Sequence, residues 1–200
     1  SHGESFSFPF DLPNDTSYSE TCAAIGLAFF ARRMLEIKAE SQYADVCELA
    51  LYNTVLSGMA LDGKSFFYVN PLEVLPEACH KDFHKSHVKP VRQKWFGCAC
   101  CPPNIARIVS SVASYAYTER KDTLWFHLYM GSVLTKMVGG QEMNLCVETD
   151  MPWNGHVSVK FHTQEAVSCT LAMRIPGWSV KGSATVVCGG AAVGISWEKG

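Results

Sequence analysis

The feature that most constrains this chain is a change of hydrophobic period near residue 120. Before it, apolar residues recur at helical spacing; after it, short β-branched and aromatic runs alternate with turns about every ten residues. A single layered sheet cannot satisfy both patterns, so the fold class is α+β in more than one domain, with a helical piece over residues 1–119 and a β-domain from 123 to 200.

In the helical piece, Tyr18 to Ala39 predicts a helix that is apolar on nearly every side, with Cys22, Ile25, Leu27, Phe29, Phe30, Met34, Leu35 and Ile37 spread around its axis. Its uncharged N-terminal half reads as the buried end. A second helix is predicted from about Tyr43 to Leu56, and Asp62-Gly63 then turns the chain into a short strand over Ser65 to Val69. Leu75 to Lys94 is polar and His-rich and reads as a long loop. A third helix starts at Pro102-Pro103, where missing backbone donors cost nothing, and carries Ile105, Ile108, Val109, Val112 and Tyr115 at helical spacing. Beyond Arg120, seven runs predict strands: Leu124 to Tyr129, Ser132 to Val138, Asn144 to Glu148, His156 to His162, Ser168 to Arg174, Ala184 to Cys188 and Val193 to Trp197. Such a series reads as a β-sandwich. The chain starts without Met or a targeting segment and stops inside the β-pattern, so it reads as truncated, with the β-domain incomplete.

Composition removes several function classes. With 48% hydrophobic and 18% charged residues the chain can build a core and is not disordered. Lys and Arg number 17 against 19 Asp and Glu, leaving no basic footprint for nucleic acid. No apolar run reaches the roughly 18 residues that a membrane helix needs.

Nine cysteines carry the chemical information. An odd number, crowded at Cys98, Cys100 and Cys101 before a helix, suits metal better than structural disulfides. Zinc takes about four soft or borderline ligands, and thiols of this cluster with Glu20 and Cys22, at another helix start, could supply them. A zinc-bound cysteine is deprotonated, and a helix N-terminus lowers a thiol pKa further, so the pattern could yield a thiolate nucleophile. Plainer readings stand beside it. Glu20 also fits the fourth place of a capping box, Ser17-Tyr18-Ser19-Glu20. Cys98, Cys100 and Cys101 could serve packing alone, and Cys47, Cys146, Cys169 and Cys188 read as small core residues. Cys79-His80 with His84 and His87 has zinc-like spacing, but its charged setting favours a solvated loop. Trp95, Trp125, Trp153, Trp178 and Trp197 could stack on sugars, yet in strand contexts they read as core or rim.

The runs Asp11 to Thr16, Tyr18-Ser19-Glu20-Thr21-Cys22-Ala23-Ala24, Phe67-Tyr68-Val69-Asn70-Pro71-Leu72 and Gln93 to Asn104, the last ending Cys98-Ala99-Cys100-Cys101-Pro102-Pro103-Asn104, resemble the β-L-arabinofuranosidases of glycoside hydrolase family 127. The resemblance runs from the first residue to about Ser132 and continues more loosely beyond. It implies part of an (α/α)6 barrel followed by a β-sandwich, and a retaining exo-hydrolase that removes terminal β-L-arabinofuranosyl units from an oligosaccharide or glycoconjugate. It further implies zinc (Zn2+) held by Glu20, Cys22, Cys100 and Cys101, with Cys100 as nucleophile. Glu4, in His2-Gly3-Glu4, would be the acid/base, Tyr68 would lie near substrate, and Cys98 has no ligand role.

The chain is shorter than the family pattern, so alone it is expected to be inactive and to expose an apolar seam. A related furanoside hydrolase, a non-catalytic zinc protein that binds carbohydrate and a thiol-redox protein remain competing readings, separable by Glu4 and by tightly held metal. Reduced thiols favour a cytoplasmic setting. A homodimer is compatible with the sequence.

Overall fold

The computed structural model describes residues 3–5 and 7–195. The chain divides into two compact units, one made of the chain up to Ala31 with Val46–Ser110, the other of Arg32–Asp45 with the chain from Ser111 onward.

The first unit is built on helices. α1 runs Thr21–Ile37 and α2 runs Ser41–Ala50, their residues within Arg32–Asp45 counting with the second unit; α2 continues as a wider π-helical turn over Leu51–Leu56, α3 is the short Ala78–Lys81, and α4 is Cys101–Ser110. On α1 the buried stripe is Ile25, Ala28, Ala31 and Leu35, whereas Leu27, Phe30 and Ile37 are exposed. The helix that reads as buried almost all round is therefore covered along one face of this chain. α1 also starts later than its apolar pattern suggests. Ser19 has a φ of 39°, and Tyr18 and Ser19 pair with the segment after Phe67 instead of turning helical: Asn70 N–H donates to the carbonyls of Tyr18 and Ser19, and Thr21 N–H donates to Tyr68 O at 3.0 Å.

The strand expected over Ser65 to Val69 is reduced to isolated bridges, Met59 with Phe66, Phe66 with Gln93 and Glu20 with Val69. The His-rich loop holds α3 and a 3-10 turn over Phe83–Lys85. α4 stops at Ser110 instead of reaching Tyr115. Serine side chains compete for its backbone, with Ser110 Oγ donating to Arg107 O at 3.1 Å and Ser114 Oγ to Ser111 O at 2.7 Å. Ser111 leaves helical geometry, and a 3-10 turn covers Val112–Tyr115.

The second unit is mainly β. β1 (Tyr117–Arg120), β2 (Thr123–Phe126) and β6 (Thr170–Met173) form one sheet in the order β1-β2-β6, and β3 (Ser132–Val138), β4 (Gln141–Thr149) and β5 (Val157–Thr163) form another in chain order. β2 pairs antiparallel with β1 and parallel with β6. Both sheets contribute to one core, in which Leu124 and Phe126 of β2 meet Val138 of β3 and Met143, Leu145 and Val147 of β4. A two-stranded ribbon, β7 (Val187–Cys188) with β8 (Ala191–Ala192), follows. β1 begins at Tyr117, within the part that reads as helical. The run expected from Val193 to Trp197 begins after β8, and its last two residues lie outside the described residues. Among the described residues no helix is long and apolar enough to cross a membrane.

Polar groups in this unit are tied to one another. The Arg174 guanidinium, 2% exposed, reaches Asp45 Oδ1 at 2.5 Å and His127 O at 2.5 Å, and Tyr129 Oη donates to Arg174 O. Gly177 N–H also donates to Asp45, and a Cβ at Gly177 would fall 2.6 Å from Asp45 Oδ2, so the close approach needs glycine.

Candidate metal centre and active site

Two helix starts bring the cluster together. The bridge of Glu20 to Val69 sets the segment Tyr68–Asn70 beside the entry to α1. It is locked by Thr21, fully buried, whose hydroxyl donates to Phe67 O at 2.8 Å and accepts from Asn70 Nδ2 at 3.0 Å. A Cβ at Gly58 would meet Asn70 Oδ1 at 3.2 Å and Thr21 Oγ1 at 3.4 Å, which explains a glycine at that point. Arg92 donates to the carbonyls of Ser57 and Gly58 and lies over the Phe67 ring at 4.8 Å. Tyr68 is thereby aimed at the start of α4, packed on Phe96, and its Oη lies 3.2 Å from Cys100 Sγ.

One donor atom from each of Glu20, Cys22, Cys100 and Cys101 lies within 4.8 Å of the other three. Cys101 Sγ stands 3.7 Å from both Cys22 Sγ and Cys100 Sγ, and Cys100 Sγ is 3.3 Å from Glu20 Oε1. These sulfurs are far beyond the roughly 2.05 Å of a disulfide. Sulfurs bound at ~2.3 Å to one tetrahedral zinc stand roughly 3.8 Å apart, so the spacing and the donor set both fit such an ion. Glu20 precedes the first residue of α1, so it is not inside a helical capping box; it faces the thiols.

The cluster is crowded with acids. Burial, with Cys22 and Glu20 adding to it, pushes the Cys100 thiol up to about 11 against the opposing pull of the Tyr68 hydroxyl. Burial and the two neighbouring thiols push Cys101 higher still, and Tyr68 is raised mainly by its bond with Cys100. Burial thus disfavours the charged form of these sulfurs, and a cation among them would favour it.

Glu4 is exposed and joins the site through Tyr18, whose hydroxyl donates to Glu4 Oε1 at 3.4 Å. Burial, then the charges of Glu4 and Glu20, raise Tyr18 to about 12, so it stays a donor at neutral pH. Tyr18 meets Tyr68 edge-on at 6.2 Å and stacks on His87 at 5.8 Å. His2 lies outside the described residues.

The other cysteines separate. Cys98 is exposed and does not join the four donors. Cys47 is buried and Cys146 and Cys169 are half-buried, in keeping with packing, but Cys188 is exposed in the short ribbon. Among the described residues Cys79, His80, His84 and His87 do not form a metal cluster; Cys79 is buried with Val69 and Val88, and its thiol donates to Leu75 O. Trp125 on β2 is half-buried, Trp95, Trp153 and Trp178 are exposed and so not in the core, and Trp197 lies outside the described residues. Asn104, which has no role in the sequence reading beyond its place in the motif, donates from Nδ2 to Cys22 Sγ at 3.2 Å. A short amide near a helix start gives no signal of that contact.

A carboxylate and three thiols on two helix starts, followed along the chain by a run of β strands, define a two-part chain with a candidate metal centre in its helical part. The chain matches known proteins in two parts: residues 1–114 match the β-L-arabinofuranosidase GH127 catalytic domain, and residues 123–200 the GH127 middle domain, a split that keeps Arg32–Asp45 with the catalytic part. The chain belongs to the GH127 β-L-arabinofuranosidase family. It is 42% identical over 196 residues to the non-reducing end β-L-arabinofuranosidase of Bifidobacterium longum subsp. longum, covering 94% of this chain and 29% of that protein. The crystal structure of a GH127 β-L-arabinofuranosidase from Geobacillus stearothermophilus T6 is 53% identical with a TM-score of 0.91, covering 96% of this chain and 30% of that one. A solved GH127 β-arabinofuranosidase is 33% identical with a TM-score of 0.85, covering all of this chain and 32% of its own length. The chain thus spans about a third of the length of these relatives.

Proposed function

We propose that the protein is a retaining exo-glycosidase that releases terminal β-L-arabinofuranosyl units from an oligosaccharide or glycoconjugate, with Cys100 as nucleophile and Glu4 as acid/base. The observation that carries this reading is the convergence of Glu20, Cys22, Cys100 and Cys101, one donor atom of each within 4.8 Å of the others, beside Tyr68, in a chain with a relative named as a non-reducing end β-L-arabinofuranosidase. Those four residues would hold zinc, which when bound supplies the positive charge that keeps the sulfurs ionised near neutral pH.

Cys100 Sγ attacks the anomeric carbon and forms a carbon–sulfur bond as the glycosidic carbon–oxygen bond breaks. The Glu4 carboxyl gives its proton to the departing oxygen. Glu4, now a carboxylate, then takes a proton from water; the water oxygen bonds to the anomeric carbon and the pair returns to Cys100 sulfur. Two displacements at one carbon retain its configuration. Tyr68, fixed against Cys100, orients the sulfur and bounds the sugar site, and Tyr18 holds Glu4 through its hydroxyl. The exposed stripe of Leu27, Phe30 and Ile37 on α1 supports a reading in which the helical unit is part of an (α/α)6 barrel completed by residues outside this chain, with the β unit belonging to a β-sandwich.

The test is zinc content and release of arabinose from p-nitrophenyl β-L-arabinofuranoside by the full-length protein. Cys100→Ser and Glu4→Gln should each lower kcat by about 10²-fold or more, Glu4→Gln with zinc retained. Near-normal turnover in either variant would remove that residue from its role.

A further inference from the structure

The four donors come from two separate segments, Glu20 and Cys22 at the entry to α1 and Cys100 and Cys101 at the entry to α4, and a side chain outside the set ties the segments together. Asn104 is the fourth residue of α4; its backbone N–H lies 3.4 Å from Cys100 O, and its Nδ2 lies 3.2 Å from Cys22 Sγ. We propose that Asn104 is a positioning residue for the metal, donating its amide hydrogen to the Cys22 sulfur and holding that sulfur in the donor set. This assignment rests on the zinc reading above.

The local backbone explains why a side chain is needed. A helix start normally offers several free N–H groups, the natural donors to a nearby anionic sulfur. Here the second and third residues of α4 are Pro102 and Pro103, which have none. The side-chain amide of Asn104 supplies a donor where the backbone has lost two. The charge balance calls for one as well. Three thiolates and a carboxylate around a divalent cation leave a double negative charge in a partly buried place, and an N–H pointed at sulfur offsets part of it without competing as a ligand. The same argument fixes which way the amide faces, because its oxygen would be repelled by the sulfur.

Two variants of the full-length protein separate this role from packing. Asn104→Ala removes the donor and the volume. Asn104→Asp keeps the shape but turns a carboxylate oxygen on the sulfur. The readouts are transfer of zinc to a chromophoric chelator and the thiolate charge-transfer absorption of the cobalt-substituted protein, neither of which depends on turnover. Asn104→Ala should weaken zinc binding roughly 10- to 100-fold, with Asn104→Asp at least as weak and a shifted cobalt band in both. A packing role gives the reverse order, with Asn104→Asp close to wild type and Asn104→Ala worse. That order, or metal binding unchanged in both variants, overturns the assignment alone. A wild-type protein that binds no zinc overturns the metal reading and this assignment with it.

Discussion

Both units bury ionisable groups, and they do so in opposite ways. In the β unit Arg174 meets Asp45 through Nη1, its Nε donates to the His127 carbonyl, and His127 Nε2 lies 2.7 Å from Thr118 Oγ1. In the helical unit the groups that gather are all acids: three thiols, a carboxyl and the Tyr68 phenol. The first set is complete within the chain and serves the fold. The second gathers acids with no base among them, the arrangement that the zinc reading proposed above would complete.

Three experiments bear on that contrast. Chelation should have the largest effect. Stripping metal from the full-length protein is expected to abolish turnover and to open Cys22, Cys100 and Cys101 to alkylation, both reversed by zinc, with hydrogen exchange in the β strands little changed. Fast exchange throughout would show that the units share one stability. Next, Asp45→Ala leaves the Arg174 guanidinium buried without its partner and should cost about 3 kcal/mol, read as a lower urea midpoint. Zinc content should not change; its loss would couple the two polar centres.

The third effect is a pH dependence, small near neutral pH and full only in acid. Burial, with Arg174 nearby, lowers His127 to about 4 from its usual 6.5, so the fold favours the neutral ring. Above pH 6.5 both folded and unfolded states are neutral there and nothing is lost. As pH falls from 6.5 towards 4 the unfolded state takes up a proton that the folded state refuses, and stability drops by up to about 3 kcal/mol before levelling off. His127→Gln should flatten that part of the stability curve, and an unchanged slope would assign it to other groups.

The sequence made part of this legible. Glu20-Thr21-Cys22 and Cys100-Cys101 stand out because thiols that close together, each set before a helix, have few uses besides metal, and the structure brings them to one place. The β-runs from Ser132 to Val138 and beyond were readable because β-branched and aromatic residues cluster between turns, although burial alternates along β3 and β4 and not along β5. What was hidden depends on distance along the chain or on backbone geometry. The positive φ of Ser19 holds Tyr18 outside α1, and no apolar pattern signals it. Asp45 and Arg174 are 129 residues apart and look like ordinary surface charges until folding joins them. Asn104 reads as one more polar residue after two prolines.

Glu20 and Cys100 are 80 residues apart, so the four-donor cluster does not exist on any short stretch of nascent chain. Both helix starts must be made and brought together before a cation finds its full set of ligands. An ion held by all four would act as a removable cross-link across a long loop, stabilising the folded state because only that state offers the full donor set. Metal supply would in that way govern how long the helical unit lasts as well as whether it reacts.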